Sequence, residues 1–94
     1  MTQVEPRDLP RHELIGLSVR VTQHSNPFNV SISGRVVDET RNTLIIRHDS
    51  KDKRVEKQTG TFLFDLNGRS VEVEGRVLQG RPEDRVKRKI KRNW

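Results

Sequence analysis

The 94-residue sequence has no cysteine and no tyrosine, and its aromatic side chains are three phenylalanines and one tryptophan. Without cysteine, neither disulfides nor a thiolate zinc site can stabilise the fold. Apolar residues make up 30% of the chain, and no run approaches the roughly 18 apolar residues that span a bilayer. The first ten residues also lack the apolar core of a signal peptide. These absences predict one small cytoplasmic domain with a compact core and no membrane segment.

The positive charge is concentrated at one end of the chain. The formal net charge is +6, yet residues 1–80 carry 12 Lys and Arg against 11 Asp and Glu, whereas residues 81–94 carry 7 against 2. A near-neutral body with a basic appendage is typical of a folded scaffold that presents a cationic arm to a polyanion. Because no strongly apolar helix face accompanies the charge, nucleic acid is a better match than an acidic membrane.

Apolar and polar residues alternate with a period of two from Leu17 onward. The alternating runs are Leu17–Val21, Ile32–Val36, Phe62–Leu66 and Val71–Val77, and two further strands are expected after polar turns, at Thr43–Arg47 and around Arg54–Glu56. This pattern predicts antiparallel strands with one buried and one solvated face, and Asn67-Gly68 is a strong hairpin signal. About six strands at this spacing predict a mainly β fold, a small twisted antiparallel barrel over residues 17–79. Gly34 and Gly75 are expected to let two strands bend so that the barrel closes.

Both ends of the chain are expected to be helical. The N-terminal arm, residues 1–16, predicts a short helix that Gly16 ends. Residues 80–94 open with proline and acidic side chains and continue with Lys and Arg, which favours a basic C-terminal helix or tail. Val86 and Ile90 belong to a four-residue apolar repeat, and this seam is expected to pack against a partner.

Catalytic constellations are missing from the sequence. His12, His24 and His48 have no metal-ligand spacing, and neither a glycine-rich phosphate loop nor a nucleophile elbow is present. No metal site and no catalytic site are therefore expected. The polar loops around Asn26 and Arg41 can bind phosphates or base edges, but the same residue types also form turns, and composition leaves both readings open.

The few aromatic residues bear on how RNA would be bound. Phe62 and Phe64 alternate as core residues, which leaves only Phe28 and Trp94. Single-strand platforms of the RNA-recognition-motif or OB type need exposed aromatic side chains on strands. The sequence therefore predicts recognition of folded RNA by its shape and backbone.

Several blocks of the sequence resemble those of one protein family. The blocks are Leu14–Leu17, Ser25–Pro27, Gly34–Leu44, Phe62–Phe64 and Gly80–Arg85. In this order and spacing they resemble the Sm-like protein subunit of archaeal and eukaryotic ribonuclease P, and the similarity runs from about Leu14 to Lys89. The segments Val37–Leu44 and Gly80–Arg85 are quite specific, and the short length looks like the archaeal form.

The resemblance implies a Sm-like antiparallel barrel flanked by terminal helices. It also implies membership of the ribonucleoprotein that removes the 5′ leader from precursor tRNA. The RNA of that complex carries the magnesium-dependent chemistry, so this protein is expected to be noncatalytic and to bind no cofactor itself. The implied partners are the ribonuclease P RNA, precursor tRNA within the complex, and a zinc-ribbon protein subunit.

Contact residues follow from the matching motif positions and, in the tail, from its charge. RNA contacts are expected at Asn26, Arg35, Arg41, Asn42, Arg81, Arg85, Arg88 and Arg92. Contacts with the partner protein are expected at Leu9, Leu14, Ile15, Val86 and Ile90. Two other functions stay open, an SH3-like protein-interaction adaptor and a ring-forming Sm-like RNA chaperone, while a nuclease acting alone is disfavoured.

Overall fold

A computed structural model describes Leu9, residues 13–81 and Asp84. The described residues form six strands: β1 (Ser18–His24), β2 (Ser33–Glu39), β3 (Thr43–His48), β4 (Lys51–Glu56), β5 (Gly60–Leu66) and β6 (Arg69–Glu74). All neighbouring strands pair antiparallel in one sheet, in the order β4-β3-β2-β1-β5-β6. Short 3₁₀ helices lie at Pro27–Asn29, between β1 and β2, and at Gly75–Leu78, after β6. The prediction of a mainly β fold with six antiparallel strands is confirmed.

One face of the sheet carries the core. Its buried apolar side chains include Val19, Val21, Val36, Leu44, Ile46, Val55, Phe62, Phe64, Leu66 and Val73. Burial of each large apolar side chain stabilises the fold by about 1.5–3 kcal/mol. The alternation that predicted the strands also predicted which side chains face inward. Leu9, Leu14, Ile32 and Leu78 complete the same cluster from outside the strands.

The connection between β5 and β6 confirms the predicted hairpin. Asn67 and Gly68 have φ angles of 53° and 87°, and a type I′ turn needs positive φ at both positions. The Gly68 N–H also donates a hydrogen bond to Asp65 Oδ1 at 3.0 Å. This turn sets the register in which Phe64 lies opposite Val71.

The prediction of a closed barrel is wrong for the described residues. The pairing order leaves β4 and β6 at opposite edges of the sheet, and these two strands do not pair. The strand that was expected to run to Val77 ends at Glu74, where the chain turns into the 3₁₀ helix Gly75–Leu78. The sheet is therefore open between β4 and β6, and β6 is shorter than the sequence predicted.

Neither terminal helix is confirmed. In its described part the N-terminal segment forms a turn, in which the Leu17 N–H donates to the Leu14 carbonyl at 3.0 Å. At the other end the Asp84 N–H donates to the Arg81 carbonyl at 3.0 Å, and the remainder of that expected helix lies outside the described residues. Both helices stay predictions. Within the part of the chain that the structure covers, no helix is long and apolar enough to cross a membrane.

Gly34 and Gly75 allow close approach of two backbone segments. A Cβ atom on Gly34 would overlap the carbonyl of Arg47 on β3, and one on Gly75 would overlap the carbonyl of Lys57. Neighbouring segments can pack this tightly only where the side chain is absent. Gly34 therefore allows β2 to approach β3 closely, and Gly75 allows the segment after β6 to approach the β4–β5 connection. Neither glycine closes a barrel.

Candidate nucleic-acid interface

Three exposed arginines share the face of the sheet that points away from the core. Arg20 lies on β1, Arg35 on β2 and Arg47 on β3. The register places Arg35 directly opposite Arg47. On its other side Arg35 pairs with Ser18, so Arg20, two residues further along β1, is a diagonal neighbour at roughly 7–8 Å. Arg20, Arg35 and Arg47 are called the outer arginines below.

Hydrogen bonds hold two of the outer arginines in place. Arg47 Nε donates to Asp52 Oδ1 on β4 at 2.9 Å. This side-chain hydrogen bond, together with the negative charge of Asp52, raises the pKa of Arg47 above its ordinary value. Arg35 Nη1 donates to the carbonyl of Gly16 at 2.9 Å. Both guanidinium groups are thus held on the surface in defined positions.

The arrangement of the outer arginines suits a polyanion. Like charges directly opposite each other destabilise an antiparallel pair by up to about 1 kcal/mol. Phosphate groups lying across the row would remove this repulsion, and the guanidinium fork matches phosphate oxygens geometrically. Sequence reasoning selected Arg35 and missed Arg20 and Arg47. Alternation placed all three opposite the core, but the cross-strand register that gathers them has no signal in the sequence.

A groove of about 670 Å³ opens at the C-terminal end of β2. Its lining residues are Ile15, Asp38, Glu39, Thr40, Arg41, Asn42 and Arg81. Arg41 and Arg81 are distant in the sequence, yet they share this groove with the amide of Asn42. Guanidinium and amide groups together can bind phosphate oxygens or base edges. We call this feature the end groove.

A buried ion pair holds the end groove together. Lys57 and Glu39 have 0% exposed side chains, and Lys57 Nζ donates to Glu39 Oε2 at 2.6 Å. The other two N–H groups of this ammonium face three backbone carbonyls, those of Thr40 (2.8 Å), Gly80 (3.0 Å) and, at the longest distance, Arg41 (3.3 Å). The Gly80 N–H donates to the Arg41 carbonyl at 2.9 Å. Lys57 therefore joins the β2–β3 turn to the segment that leads into Arg81.

A β-bulge directs Glu39 toward Lys57. The register between β2 and β3 shifts by one residue between Val36 and Asp38. Because Val36 faces the core, strict alternation would place Glu39 on the outer face, and the extra residue reverses this. Lys57, by contrast, lies two residues after the buried Val55, so alternation predicts that its side chain also faces inward. Sequence reasoning missed this ion pair, since the only signal for Lys57 was its position relative to Val55, and alternation pointed Glu39 outward.

The predicted RNA contacts fall into separate places. Arg35 belongs to the outer arginines, and Arg41, Asn42 and Arg81 lie together in the end groove. Asn26 lies in the β1–β2 loop and does not line the end groove; its backbone N–H donates to Nδ1 of His24, whose Nε2 lies 3.0 Å from the carbonyl oxygen of Glu56. The Asn26 side-chain oxygen accepts a backbone N–H of the following 3₁₀ helix at 3.0 Å, so this side chain also holds a turn.

The predicted partner-protein contacts are only partly described. Leu9 and Leu14 have 0% exposure and belong to the core of this chain, so they present no surface here. Ile15 is 39% exposed and lines the end groove. The predicted contacts of the C-terminal tail lie outside the described residues: Arg85, Val86, Arg88, Ile90 and Arg92.

The described histidines contact the backbone. His24 Nε2 lies 3.0 Å from the carbonyl oxygen of Glu56, and His48 Nδ1 lies 2.8 Å from that of Ser33. His12 lies outside the described residues. Among the residues that the structure covers, no group of three or more His, Asp or Glu side chains is placed to hold a metal ion.

Comparison with known proteins identifies relatives along most of the chain. The family model described as ribonuclease P/MRP, subunit p29, matches residues 7–88. Ribonuclease P protein component 1 of Methanocaldococcus jannaschii is 48% identical over 89 residues, which cover 94% of each chain. The protein of the same name from Methanothermobacter thermautotrophicus is 47% identical over 91 residues, covering 95% of this chain and 98% of its own length.

A solved structure is similar as well. It is that of Mth11, a homologue of the human RNase P protein Rpp29. The two chains are 49% identical, and the TM-score is 0.58 over 78% of this chain and 96% of that one. Sequence and fold therefore point to the same set of relatives.

Proposed function

This chain belongs to the ribonuclease P/MRP p29 family, and from this premise we propose that it is a noncatalytic RNA-binding subunit of archaeal ribonuclease P. That ribonucleoprotein removes the 5′ leader from precursor tRNA, and its RNA, with magnesium, performs the cleavage. The protein binds no cofactor of its own and works in the cytoplasm. Its partners are the ribonuclease P RNA, precursor tRNA within the complex, and a zinc-ribbon protein subunit.

The outer arginines carry the RNA-binding part of this proposal. Three exposed guanidinium groups stand on adjacent strands, and the register brings Arg35 directly opposite Arg47. Each guanidinium that meets a phosphate releases counterions from the RNA, so affinity falls as salt rises. The end groove adds Arg41 and Arg81. Arg35 connects to this groove, because its side chain donates to the carbonyl of Gly16, and the preceding residue, Ile15, lines the groove.

The surface for the partner protein is proposed from the exposed apolar residues. Leu9 and Leu14 pack in the core, which leaves Ile15 as the exposed member of the predicted N-terminal set. Together with Val86 and Ile90 of the tail, Ile15 supplies an apolar surface for the zinc-ribbon subunit. Ile15 lines the end groove, so the protein and RNA contacts would be neighbours there.

A ring-forming Sm-like RNA chaperone is the second candidate. The observation that favours it is the open sheet, in which β4 and β6 are edge strands that another copy could pair with. However, the four successive residues 51–54 of β4 are all exposed and include two lysines and an arginine. Charged side chains on an edge strand oppose edge-to-edge pairing. We expect a mass measurement on the purified protein to give a monomer, whereas a hexamer or heptamer would favour the chaperone.

The RNA-binding proposal is tested by the salt dependence of affinity. The probe is the cognate ribonuclease P RNA, bound by the wild-type chain and by a variant with Arg20→Ala, Arg35→Ala and Arg47→Ala. If all three meet phosphate, the slope of log affinity against log salt becomes shallower by about two to three units. A matched control replaces Arg69 and Arg76, two exposed arginines on or next to β6, and should leave the slope unchanged.

Two results would contradict the proposal. If the wild-type chain does not bind the RNA, or binds it no better than an unrelated RNA and without the steep salt dependence of phosphate contacts, the RNA-binding proposal is wrong and the adaptor takes first place. If the triple variant keeps the wild-type slope while its circular dichroism spectrum shows a folded protein, the outer arginines are not the RNA-binding surface.

A further inference from the structure

The β1–β2 loop presents an aromatic ring to solvent. Phe28 is 89% exposed, far more than the other exposed large apolar residues of the described chain, which are Ile15, Val30 and Val77 at 39–41%. Phe62 and Phe64, in contrast, are fully buried. Transfer of such a ring to water is unfavourable, so its position needs an explanation other than the core.

Hydrogen bonds hold the loop around Phe28 in one conformation. The Phe28 N–H donates to Asn26 Oδ1 at 3.0 Å, and the Asn29 N–H donates to the Asn26 carbonyl at 3.0 Å. Further bonds run from the Val30 N–H to the Pro27 carbonyl at 3.2 Å, and from Ser31 to Val21 on β1 at 2.9 Å. Because the backbone is already ordered, a ligand that meets the ring pays little conformational entropy.

The loop around Phe28 is mostly polar. It contains Asn26 and Asn29, whose amides can bind base edges, and two serines at positions 25 and 31. Its other exposed apolar residues are Pro27 and Val30, the latter 39% exposed. The loop ends at Ser33, which pairs with Arg20 of the outer arginines. A protein-docking site usually surrounds its aromatic anchor with a wide apolar patch, whereas this ring shares its loop mainly with amides and hydroxyls. An aromatic ring in such a loop, next to a strand that carries an arginine, matches an RNA base and its phosphates.

We propose that Phe28 is a stacking platform for one unpaired base of the RNA. This inference rests on the proposed RNA-binding function and adds to it. The outer arginines bind the backbone without reading sequence, whereas Phe28 selects a site where a base is free to leave its helix. The protein would thus distinguish a loop or bulge from continuous duplex.

Three substitutions separate stacking from simple apolar contact. Phe28→Ala removes the ring, Phe28→Leu keeps apolar bulk without an aromatic face, and Phe28→Trp enlarges that face. With the cognate ribonuclease P RNA, we expect Phe28→Ala and Phe28→Leu each to weaken affinity by about tenfold, which is in the range for loss of one base–aromatic stack. Phe28→Trp should retain or improve affinity. Val77→Ala, at a 41% exposed apolar residue elsewhere, is the matched control and should bind normally.

Two further readouts report on the ring itself. Because Phe28→Ala removes no charge, the salt slope should stay at its wild-type value while affinity drops. In a chain with Phe28→Trp and Trp94→Phe, the introduced tryptophan is the only one. Its fluorescence should be quenched when the RNA binds, as stacking on a base requires.

The outcomes decide between the proposals. If Phe28→Leu binds like wild type, or none of the three variants changes affinity, base stacking is wrong. It is also wrong if RNA affinity is unchanged but assembly with the other protein subunits is lost, since the ring then docks on protein. Each of these results leaves the RNA-binding proposal standing if the wild-type chain keeps its steep salt dependence. Absence of RNA binding by the wild-type chain would instead remove both.

Discussion

The buried pair of Lys57 and Glu39 yields the sharpest stability prediction. Lys57→Met keeps most of the side-chain volume and removes the ammonium from a carboxylate that is 0% exposed. Removal of one partner from a buried ion pair costs about 3–5 kcal/mol, because the remaining charge loses its compensation in a low-dielectric site. The same change withdraws a donor from the carbonyls of Thr40 and Gly80.

The expected loss of stability is a large share of the total free energy of unfolding. Domains of this kind have free energies of unfolding of about 5–15 kcal/mol. A loss of 3 kcal/mol should lower the melting temperature by roughly 12–24 °C in a domain of this size. Urea denaturation followed by circular dichroism measures the free energy, and a thermal melt checks it.

A second variant separates the charge from the packing. With both Glu39→Leu and Lys57→Met, no charge stays buried at this site, and replacement of a buried pair by apolar residues is often neutral for stability. We expect the double variant to recover most of the stability lost in Lys57→Met. It should not recover RNA affinity fully, because the β2–β3 turn and Gly80 are no longer joined and the end groove loses its shape.

One result would refute this reasoning. If Lys57→Met costs less than about 1 kcal/mol, the value typical of exposed pairs, then the ion pair is open to water in solution. The end groove would then not depend on it.

Two other variants test the remaining features. Gly34→Ala should destabilise the fold by about 1–3 kcal/mol, since the new Cβ would overlap the Arg47 carbonyl. Urea denaturation measures this loss, with Ser33→Ala as the control. An unchanged denaturation midpoint would show that β2 and β3 separate easily. The tail is tested by replacing Arg85, Arg88 and Arg92 with alanine, which should flatten the salt slope of RNA binding by up to about three units. A wild-type slope in that variant would place the tail outside the RNA interface.

Local patterns were enough to predict most of the sheet. Alternation around Val19 and Phe64 predicted both the strands and their inward faces, since the period of a strand is two and one face is buried. The Asn67-Gly68 turn was predictable because few dipeptides tolerate positive φ twice. The open sheet was not predictable: Gly75 predicts a bend inside a strand that continues to Val77, whereas β6 ends at Glu74 and the chain continues as a 3₁₀ helix.

The candidate site was harder to predict than the sheet. Arg41 and Arg81 were each identified by motif position, but their shared groove depends on contacts of Lys57 with two distant backbone segments. Glu39 faces inward only because of the bulge in β2, and a bulge leaves no composition signal of its own. Exposure of Phe28 likewise depends on a loop conformation that alternation does not describe.

The central claim is tested most directly by cleavage of a precursor tRNA. The cognate ribonuclease P RNA is combined with the other protein subunits at moderate magnesium, and this protein is added or withheld. The account predicts that cleavage at the 5′ leader depends on adding this protein, and that the protein alone cuts nothing. If adding the protein does not change cleavage across a range of magnesium and salt concentrations, the proposed role in ribonuclease P is wrong. Cleavage by the purified protein without RNA would contradict its noncatalytic nature.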